Sequence, residues 1–283
     1  LNGQLFLGGG LYGMIAGDSD GKGTIDDNDI DEYWNNDAGE AGYFGSDLNM
    51  DSEVNNVDKN EIWEEIVGSA TSVDLKCGFN IYDNRDGQSY KTIKIGNQCW
   101  MAENLNVGEM IIWVPEDNDT IEKFCYDNII DNCNIYGGLY HWDELMEYTT
   151  IEGVQGICPI GWHVPTDGEY CIMENEVDSG IITCDEDGWR GIDVGGNLKE
   201  TGTTHWYSPN TGATNSSGFT VLGAGYRNYL GDFGLLGEMG SFWTSTTIEG
   251  VWKYRRGLEY NTSQIFRHSD NTAFQYSIRC IKY

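Results

Sequence analysis

The segment CPIGWHVPT, residues 158–166, carries much of the structural information in this sequence, because it places a cysteine, a tryptophan and a glycine turn close together. Short segments of the same kind lie on both sides of it from about residue 80 onward, each alternating or aromatic and each bounded by Gly, Asn or Asp. This pattern predicts a turn-rich domain of many short strands and few long helices. The clearest segments are QSYKTIKI at 88–95, the Gly96-Asn97 turn, CWMAENL at 99–105, YGGLYHW at 136–142, GAGYR at 223–227, FWTST at 242–246 and SIRC at 277–280.

Taken in order from about residue 80 to Tyr283, these segments resemble the Fibrobacter major paralogous domain, a family of extracellular bacterial domains with a C-type-lectin-like fold. The resemblance implies an α+β fold in which a disulfide joins the segment that enters the second helix to the last strand. In this sequence those positions are Cys158 and Cys280. The chain departs from the family pattern at Cys99, where a second aromatic residue is usual, and at three cysteines that look like additions, namely Cys77, Cys171 and Cys184.

All eight cysteines lie from residue 77 onward, and their even number without a tight C-x-x-C pair favours disulfides over a thiolate metal site. None of the four histidines lies at metal-site spacing from a cysteine pair. Because disulfides persist in oxidising compartments, we expect an extracellular protein. The resemblance to the Fibrobacter family implies a location at the bacterial cell surface. Besides the pair implied by the resemblance, a short loop suggests Cys125–Cys133, and elimination and proximity suggest Cys171–Cys184 and Cys77–Cys99.

Negative charge is concentrated at the amino end of the chain. The first 75 residues hold 17 acidic and 2 basic side chains, a net charge of 2 − 17 = -15, which is half of the formal net charge of -30. Such a charge repels phosphate backbones and anionic membrane surfaces, so we expect no nucleic-acid partner. The sequence also lacks an apolar run of eighteen residues, so we expect no membrane insertion. Aromatic residues such as Trp34 and Trp63 argue against a disordered acidic tail.

Two acidic loops, residues 18–29 and 47–58, repeat with a constant offset of 29. Oxygen ligands at loop positions 1, 3, 5 and 12, with a backbone carbonyl at position 7, wrap a calcium ion. The first loop has Lys22 at position 5, which cannot ligate, so the second loop should bind more tightly. We expect two Ca²⁺ sites, with ligands Asp18, Asp20, Thr24 and Asp29 in the first, and Asp47, Asn49, Asp51, Glu53 and Asp58 in the second.

A short helical pattern follows each acidic loop, which predicts two helices that pack on each other. Residues 10–68 therefore resemble a divergent dockerin domain, an EF-hand-like arrangement, and the resemblance implies docking to a cohesin-like partner. A solvated acidic face is the alternative for the carboxylates, and calcium could simply hold the fold. The expected organisation is an apolar strand at 1–10, a small dockerin-like helical domain at 11–70 and the lectin-like disulfide-bonded domain at 71–283.

The sequence does not suggest catalysis. Enzymes related to this fold use a pair of reactive cysteines, and no matching pair is found here. The carboxylates Asp143 and Glu144 follow Trp142 at what reads as a helix start, where acidic residues are favoured. The four histidines adjoin aromatic residues or proline and are interpreted as packing or strand residues, namely His141, His163, His205 and His268.

Glycans remain candidate ligands and candidate modifications. The calcium-dependent sugar-binding loops of lectins do not occur in the large domain, so sugar binding would depend on exposed aromatic residues. Candidates for these are Trp206, Tyr207, Trp252 and Tyr254. The candidate glycosylation sites are Asn118, Asn215 and Asn261 in N-x-S/T patterns and Thr120 in an Asp-Thr-Ile pattern.

Two functions fit these observations. The first is a structural or adhesive subunit that assembles head-to-tail into a surface fibre; the alternative is a secreted carbohydrate- or protein-binding module. In an extended strand Leu1, Leu5 and Leu7 share one face and Phe6 lies on the other, so this segment could add to a sheet edge of a neighbouring copy. The segment could equally pack on its own small domain.

Overall fold

A computed structural model of the chain describes residues 4–8, 11–14, 77–248 and 251–283. The chain divides into two compact units, residues 1–76 and 77–283. All calcium ligands expected between residues 18 and 58 lie outside the described residues, as do the two helices expected after the loops. The described residues therefore belong mostly to the cysteine-bearing unit.

In the amino-terminal unit, strands β1 (Gln4–Gly8) and β2 (Leu11–Met14) form an antiparallel hairpin in which Phe6 lies opposite Tyr12. Leu5 and Leu7 also lie in β1, whereas Leu1 is outside the described residues. The expected strand is thus present, and its partner in this structure is β2 of the same chain.

The larger unit is mostly β-structure with four short α-helices in its described part. The helices are α1 (Ile130–Tyr136), α2 (Trp142–Leu145), α3 (Asp167–Val177) and α4 (Val194–Leu198). The first eight strands are β3 (Ile81–Asp83), β4 (Gln88–Tyr90), β5 (Thr92–Ile95), β6 (Gln98–Met101), β7 (Glu109–Met110), β8 (Glu122–Lys123), β9 (Tyr140–His141) and β10 (Trp162–His163). The others are β11 (Gly188–Arg190), β12 (Ala224–Arg227), β13 (Phe233–Leu236), β14 (Met239–Ile248), β15 (Trp252–Glu259), β16 (Ile265–Asn271), β17 (Gln275–Tyr276) and β18 (Ile281–Lys282).

Two sheets organise this unit. The larger has the strand order β11-β16-β15-β14-β12-β17-β9, with β13 paired to β12, and the smaller has the order β10-β18-β6-β5. Short two-stranded pairs, β3 with β4 and β7 with β8, lie beside them. The last strand, β18, therefore lies inside the smaller sheet, between β10 and β6.

The run expected as one strand at residues 88–95 is divided at Lys91. Its first part, β4, pairs with β3, and its second part, β5, pairs with β6 across the expected Gly96-Asn97 turn. Gly96 has φ of 57°, a conformation that glycine adopts without steric cost. At the division, the Lys91 carbonyl continues the β5–β6 register by accepting from the Ala102 amide, whereas the Lys91 amide donates to the side-chain oxygen Glu103 Oε2.

Large aromatic side chains fill two buried clusters. One contains Trp142, Trp162 and Trp243 together with the half-cystines 158 and 280, and the other contains Trp100 and Trp206. Trp142 Nε1 donates to the Thr244 carbonyl at 2.8 Å, so its polar end is satisfied as its rings are buried. Burial of such rings supplies the main apolar stabilisation of this unit.

Hydrogen bonds hold helix α3 at its amino terminus and just beyond its carboxyl terminus. Thr166 caps its amino terminus, and Glu169 completes a capping box by accepting from the Thr166 backbone N–H at 2.8 Å. Beyond its carboxyl end, Asp178 Oδ1 accepts from the backbone amides of three successive residues, 192–194, at the start of α4. These hydrogen bonds join the carboxyl end of α3 to the start of α4.

A buried ion-pair cluster, which we call the α3 cluster, joins this helix to strands β11, β15 and β16. Fully buried Arg256 contacts Asp167 at 2.6 Å and Glu174 at 2.5 Å. Arg190 contacts the other oxygen of Glu174 at 2.5 Å, and Arg267 contacts Asp167 at 2.9 Å. Every guanidinium in the cluster therefore has a carboxylate partner.

The four disulfides of the larger unit are those expected from the sequence. The Cys158–Cys280 bond spans 122 residues, the longest separation among them. It fixes the start of β18 against the segment before β10. The other pairs are Cys77–Cys99, Cys125–Cys133 and Cys171–Cys184.

Candidate binding cleft

A cleft of about 280 Å³ is lined in part by the buried side chain of Arg279. We call it the Arg279 cleft. Its wall includes Asn104 and Asn106 from the segment after β6, Tyr136 from α1 and His205 from the loop before β12. Carboxamide, aromatic, imidazole and guanidinium groups therefore converge on one small space, which is the composition of a site for a polar ligand.

The guanidinium of Arg279 is held in place by three acceptors. Its Nε donates to Asn104 Oδ1 at 2.7 Å, Nη2 donates to the Thr220 carbonyl at 2.9 Å, and Nη1 donates to the Phe219 carbonyl. Its carbon lies 4.4 Å from the centre of the Phe219 ring. Burial lowers the pKa of Arg279 to about 9. No carboxylate among the described residues forms a hydrogen bond or an ion pair with it.

Asn104 links Arg279 to α1. Its Nδ2 donates to the Tyr136 carbonyl at 2.8 Å while its Oδ1 accepts from Arg279. Gly137 makes this contact possible, because a Cβ on it would lie 2.5 Å from Asn104 Cβ, and its φ is 78°. The wall of the cleft is therefore held by backbone contacts that a larger side chain would break.

Asn106 has an unusual environment. It is 3% exposed, and its Oδ1 has no hydrogen-bond partner in the part of the chain that the structure describes. Its backbone groups are satisfied: the amide donates to Tyr90 Oη at 2.9 Å, and the carbonyl accepts from Lys123 Nζ. Burial lowers the pKa of Lys123, which has no ion-pair partner among the described residues. A buried acceptor without a donor is costly, and a ligand that donates a proton to it would remove that cost.

Two carboxylates also line the cleft, and each has a partner. Glu200 interacts with His205 Nδ1 at 2.9 Å, and Tyr136 packs edge-to-face on His205 at 5.6 Å between ring centres. Glu103 accepts from the Lys91 amide at 2.8 Å and lies 3.5 Å from the Lys91 ammonium.

The other histidines have structural contacts, in line with their interpretation from the sequence. His163 in β10 contacts Glu169 at 2.8 Å and stacks on Tyr283. The His141 ring accepts from the Asp143 amide at 3.4 Å and so caps α2, the helix start expected at Asp143 and Glu144. His268 lies exposed on β16, and its ring centre is 5.4 Å from that of Phe266.

The exposed-aromatic hypothesis is corrected at Trp206. This residue is buried, and its Nε1 donates to the Val221 carbonyl at 2.8 Å, so it is a core residue. Tyr207 and Trp252 are exposed, at 56% and 45%. Tyr254 is half-buried, with the Arg267 guanidinium 3.7 Å from its ring centre.

The candidate glycosylation positions differ in their surroundings. Asn118, Thr120 and Asn261 are exposed. Asn215 is only partly exposed, and its amide is engaged at both ends with Thr220, donating to Oγ1 at 2.9 Å and accepting from the backbone N–H at 2.8 Å. A glycan at Asn215 would have to break the first of these bonds.

A second depression, also about 280 Å³, is lined by acidic residues of the loop 116–120 and by Glu144 and Glu147. Glu144 is buried, which raises its pKa, although it accepts from the Glu122 amide and from Tyr148 Oη. Within residues 77–248 and 251–283, no group of three or more His, Cys, Asp or Glu side chains is arranged to hold a metal ion. None of the described helices is long and apolar enough to span a membrane.

The sequence alone did not indicate the Arg279 cleft. Its residues come from six separated segments, and Arg279 meets Asn104 across 175 positions of sequence. The one signal available was the arginine in the closing SIRC segment, an arginine between an apolar residue and a half-cystine, where a core side chain is expected.

Comparison with known proteins gives one family. The model of the Fibrobacter succinogenes major domain matches residues 93–282. No curated protein and no solved structure matches the chain.

Proposed function

The chain belongs to the Fibrobacter succinogenes major domain family, and we propose that it is a non-enzymatic extracellular protein of the bacterial surface. In this proposal it is a structural and adhesive subunit whose amino-terminal unit assembles and whose larger unit is displayed as a rigid, lectin-like head. Four disulfides are typical of proteins outside the cytoplasm, which supports the extracellular part of the proposal.

The observation that carries the proposal is the way in which the two ends of the larger unit are fixed. The Cys77–Cys99 disulfide attaches the start of the unit to β6, and Ile281 of β18 pairs with Trp100 of the same strand β6. Both ends therefore reach neighbouring strands of one sheet. A domain whose ends lie side by side suits display from an assembling stalk, since most of its surface stays away from the attachment point.

Assembly is assigned to the hairpin of β1 and β2. A two-stranded sheet leaves backbone groups open along its outer edges, and a strand of a neighbouring copy can satisfy them. If that contact joins different surfaces of two copies and its rotation does not close, it propagates head-to-tail into a fibre.

Electron microscopy of negatively stained protein in calcium-containing buffer tests the assembly. We expect fibres from the full chain and separate particles from a variant that lacks residues 1–10. Leu5→Lys should behave like the deletion and Gln4→Lys like the unaltered chain, because the leucines share one face of the strand. Identical particles from the full chain and the deletion would refute assembly through this strand.

Calcium is proposed to stabilise the amino-terminal unit through the loops at 18–29 and 47–58. Binding to the folded state alone adds stability that depends on free ion concentration. EDTA should lower the melting temperature of the chain, and the double variant Asp47→Asn with Asp51→Asn should reduce this response. Asp74→Asn, outside both loops, is the matched control. An unchanged melting temperature in EDTA would refute the calcium proposal, and a cohesin-like partner would then lose its basis too.

A carbohydrate- or protein-binding module is the second candidate, and the Arg279 cleft is the observation that favours it. Its carboxamides and tyrosine ring are groups that recognise sugars through hydroxyl hydrogen bonds and ring contacts. Binding by isolated particles, without fibres in any buffer, would favour this candidate over the first.

A further inference from the structure

We propose that the Arg279 cleft is a specific site for a monosaccharide-sized ligand that carries a carboxylate beside hydroxyl groups, of which a uronic acid is the simplest. The inference rests on the second candidate function, the binding module, and names its ligand; it requires neither fibre assembly nor calcium.

The positive charge of Arg279 in the lining of the cleft favours an anionic ligand. Arg279 is 1% exposed and has no carboxylate partner among the described residues, although the chain as a whole is strongly acidic. An unpaired buried cation is unfavourable, and a ligand carboxylate would supply the missing counter-charge. Arginine also matches carboxylates geometrically, because its planar fork presents parallel N–H donors.

Arg279 retains donors for such a group. A guanidinium has five N–H groups, and three of them donate to Asn104, Phe219 and Thr220. The buried cation Lys199 shows the contrast: its ammonium donates to three carbonyls, those of Thr211, Glu259 and Thr262, so all its donors have acceptors. Lys199 is therefore complete without a ligand, whereas Arg279 is not.

Asn106 specifies the second half of the ligand. Its buried Oδ1 has no donor within the described ranges, so a ligand with a hydroxyl beside its carboxylate would give both Asn106 and Arg279 a partner. The unpaired Lys123 ammonium, which donates to the Asn106 carbonyl, adds positive charge directly behind this residue. An anion with a neighbouring hydroxyl fits these two requirements better than a neutral sugar or a simple carboxylate.

The dimensions of the cleft set the size of the ligand. Its volume of about 280 Å³ is just below the range of roughly 300 to 1,000 Å³ for pockets that hold drug-sized molecules. One sugar ring fits this space, with Tyr136 available as an apolar wall. Of the carboxylates at its margin, Glu200 is engaged with His205, and Glu103 is paired with Lys91. Glu103 also interacts electrostatically with Arg279, but neither of these two carboxylates forms an ion pair with it.

Isothermal titration of the intact oxidised chain with D-glucuronate and with D-glucose tests the proposal. We expect glucuronate to bind at least tenfold more tightly than glucose, with an affinity that falls as salt is raised. Methyl β-D-glucuronide, whose ring is capped at C1, should also bind if the natural source is the end of a polysaccharide; binding of the free acid alone would identify a free uronate instead.

Two cleft variants and a control complete the test. Asn106→Asp introduces a carboxylate without changing the shape of the side chain, and it should weaken glucuronate binding at least tenfold. Arg279→Lys keeps the charge but loses the fork, and it should weaken binding too; if it fails to fold, Asn106→Asp decides the result. Asn118→Asp, on the exposed loop 116–120, should bind as the unaltered chain does.

Three results would overturn the proposal: no heat with any of these sugars, equal affinity for glucuronate and glucose, or unchanged binding by Asn106→Asp that melts like the unaltered chain. Loss of fibres in the assembly experiment has no bearing on these results, so the two proposals fail independently.

Discussion

The larger unit contains two groups of buried cations with opposite chemistry. In the α3 cluster, Arg190, Arg256 and Arg267 each contact a carboxylate of Asp167 or Glu174. Beside the cleft, Arg279 and Lys123 are equally buried, yet neither has a carboxylate partner among the described residues. The difference teaches that burial of charge alone does not identify a functional site. A paired charge is part of the folded core, whereas an unpaired charge beside an open cleft is available to a ligand.

Removal of disulfides should have the largest effect on the free energy of unfolding. Here the bond near the cleft should contribute more than the bond on α3. The bond next to Arg279, Cys158–Cys280, closes 122 residues, while the bond on α3, Cys171–Cys184, closes 13. In the chain-entropy model these contribute about 5 and about 3 kcal/mol. Replacing each pair by alanines and measuring chemical unfolding should show the greater loss for the long loop. Equal losses would mean that native-state contacts, and not chain entropy, set the contribution.

Breaking the α3 cluster should be almost as damaging. Glu174→Gln leaves Arg190 and the fully buried Arg256 without their common carboxylate, and removal of one partner from a buried ion pair costs about 3 to 5 kcal/mol. Glu176→Gln on the exposed side of the same helix is the matched control and should change the free energy of unfolding by less than about 0.5 kcal/mol. A loss for Glu174→Gln as small as that of the control would show that the cluster contributes no stability.

Acid should affect the α3 side selectively. Burial by itself would raise the pKa of Asp167, but its contacts with Arg267 and Arg256 lower it overall. The pKa of Asp178 is also lowered, because backbone amides that include those of Asp193 and Ile192 outweigh its burial. A carboxyl whose folded-state pKa is depressed adds stability above its unfolded pKa of about 4, and this stability is lost as pH falls through the folded-state value.

The melting temperature should therefore be steady near pH 6 and fall steeply below about pH 4. Asp178→Asn removes one of the titrating groups and should make the decline shallower. A decline of the same steepness in Asp178→Asn would assign the acid sensitivity to other carboxyls. Over this range Arg279, whose pKa is about 9, remains protonated and should not contribute to the decline.

The smallest effect is expected at Lys123. Lys123→Met removes a buried, unpaired ammonium that donates to the Asn106 carbonyl. The cost of the lost hydrogen bond, about 1 kcal/mol, is offset by the removal of a desolvated charge. The free energy of unfolding should thus change by no more than about 1 kcal/mol. A loss as large as that of Glu174→Gln would show that Lys123 has an essential structural partner and would erase the difference between the two regions.

Local features of this fold could be predicted from the sequence where the causes are themselves local. The Gly96-Asn97 turn follows from residues that accept a left-handed backbone, and the helix at Trp142 follows from acids at its first turn. The pairing of Cys125 with Cys133 follows from a separation of 8 residues.

The remaining features depend on partners that are distant in sequence. Trp206 was a candidate for an exposed sugar platform, yet it is packed in a buried apolar cluster, where the Val221 carbonyl accepts from its indole N–H. Nothing in the spacing of residues reveals that Arg279 meets Asn104 and the carbonyls of Phe219 and Thr220. The α3 cluster was missed for the same reason, since Arg256 meets Asp167 across 89 residues.

The position of β18 has a consequence for how the protein is made. Its two residues, Ile281 and Lys282, lie between β10 and β6, so the smaller sheet cannot close until the ribosome has added them. Until then, the strands that carry Trp100 and Trp162 lack the strand that pairs with both of them, and Cys158 lacks its disulfide partner. The smaller sheet and the Cys158–Cys280 bond should therefore be the last parts of the domain to form, after the strands of the larger sheet are already available for pairing.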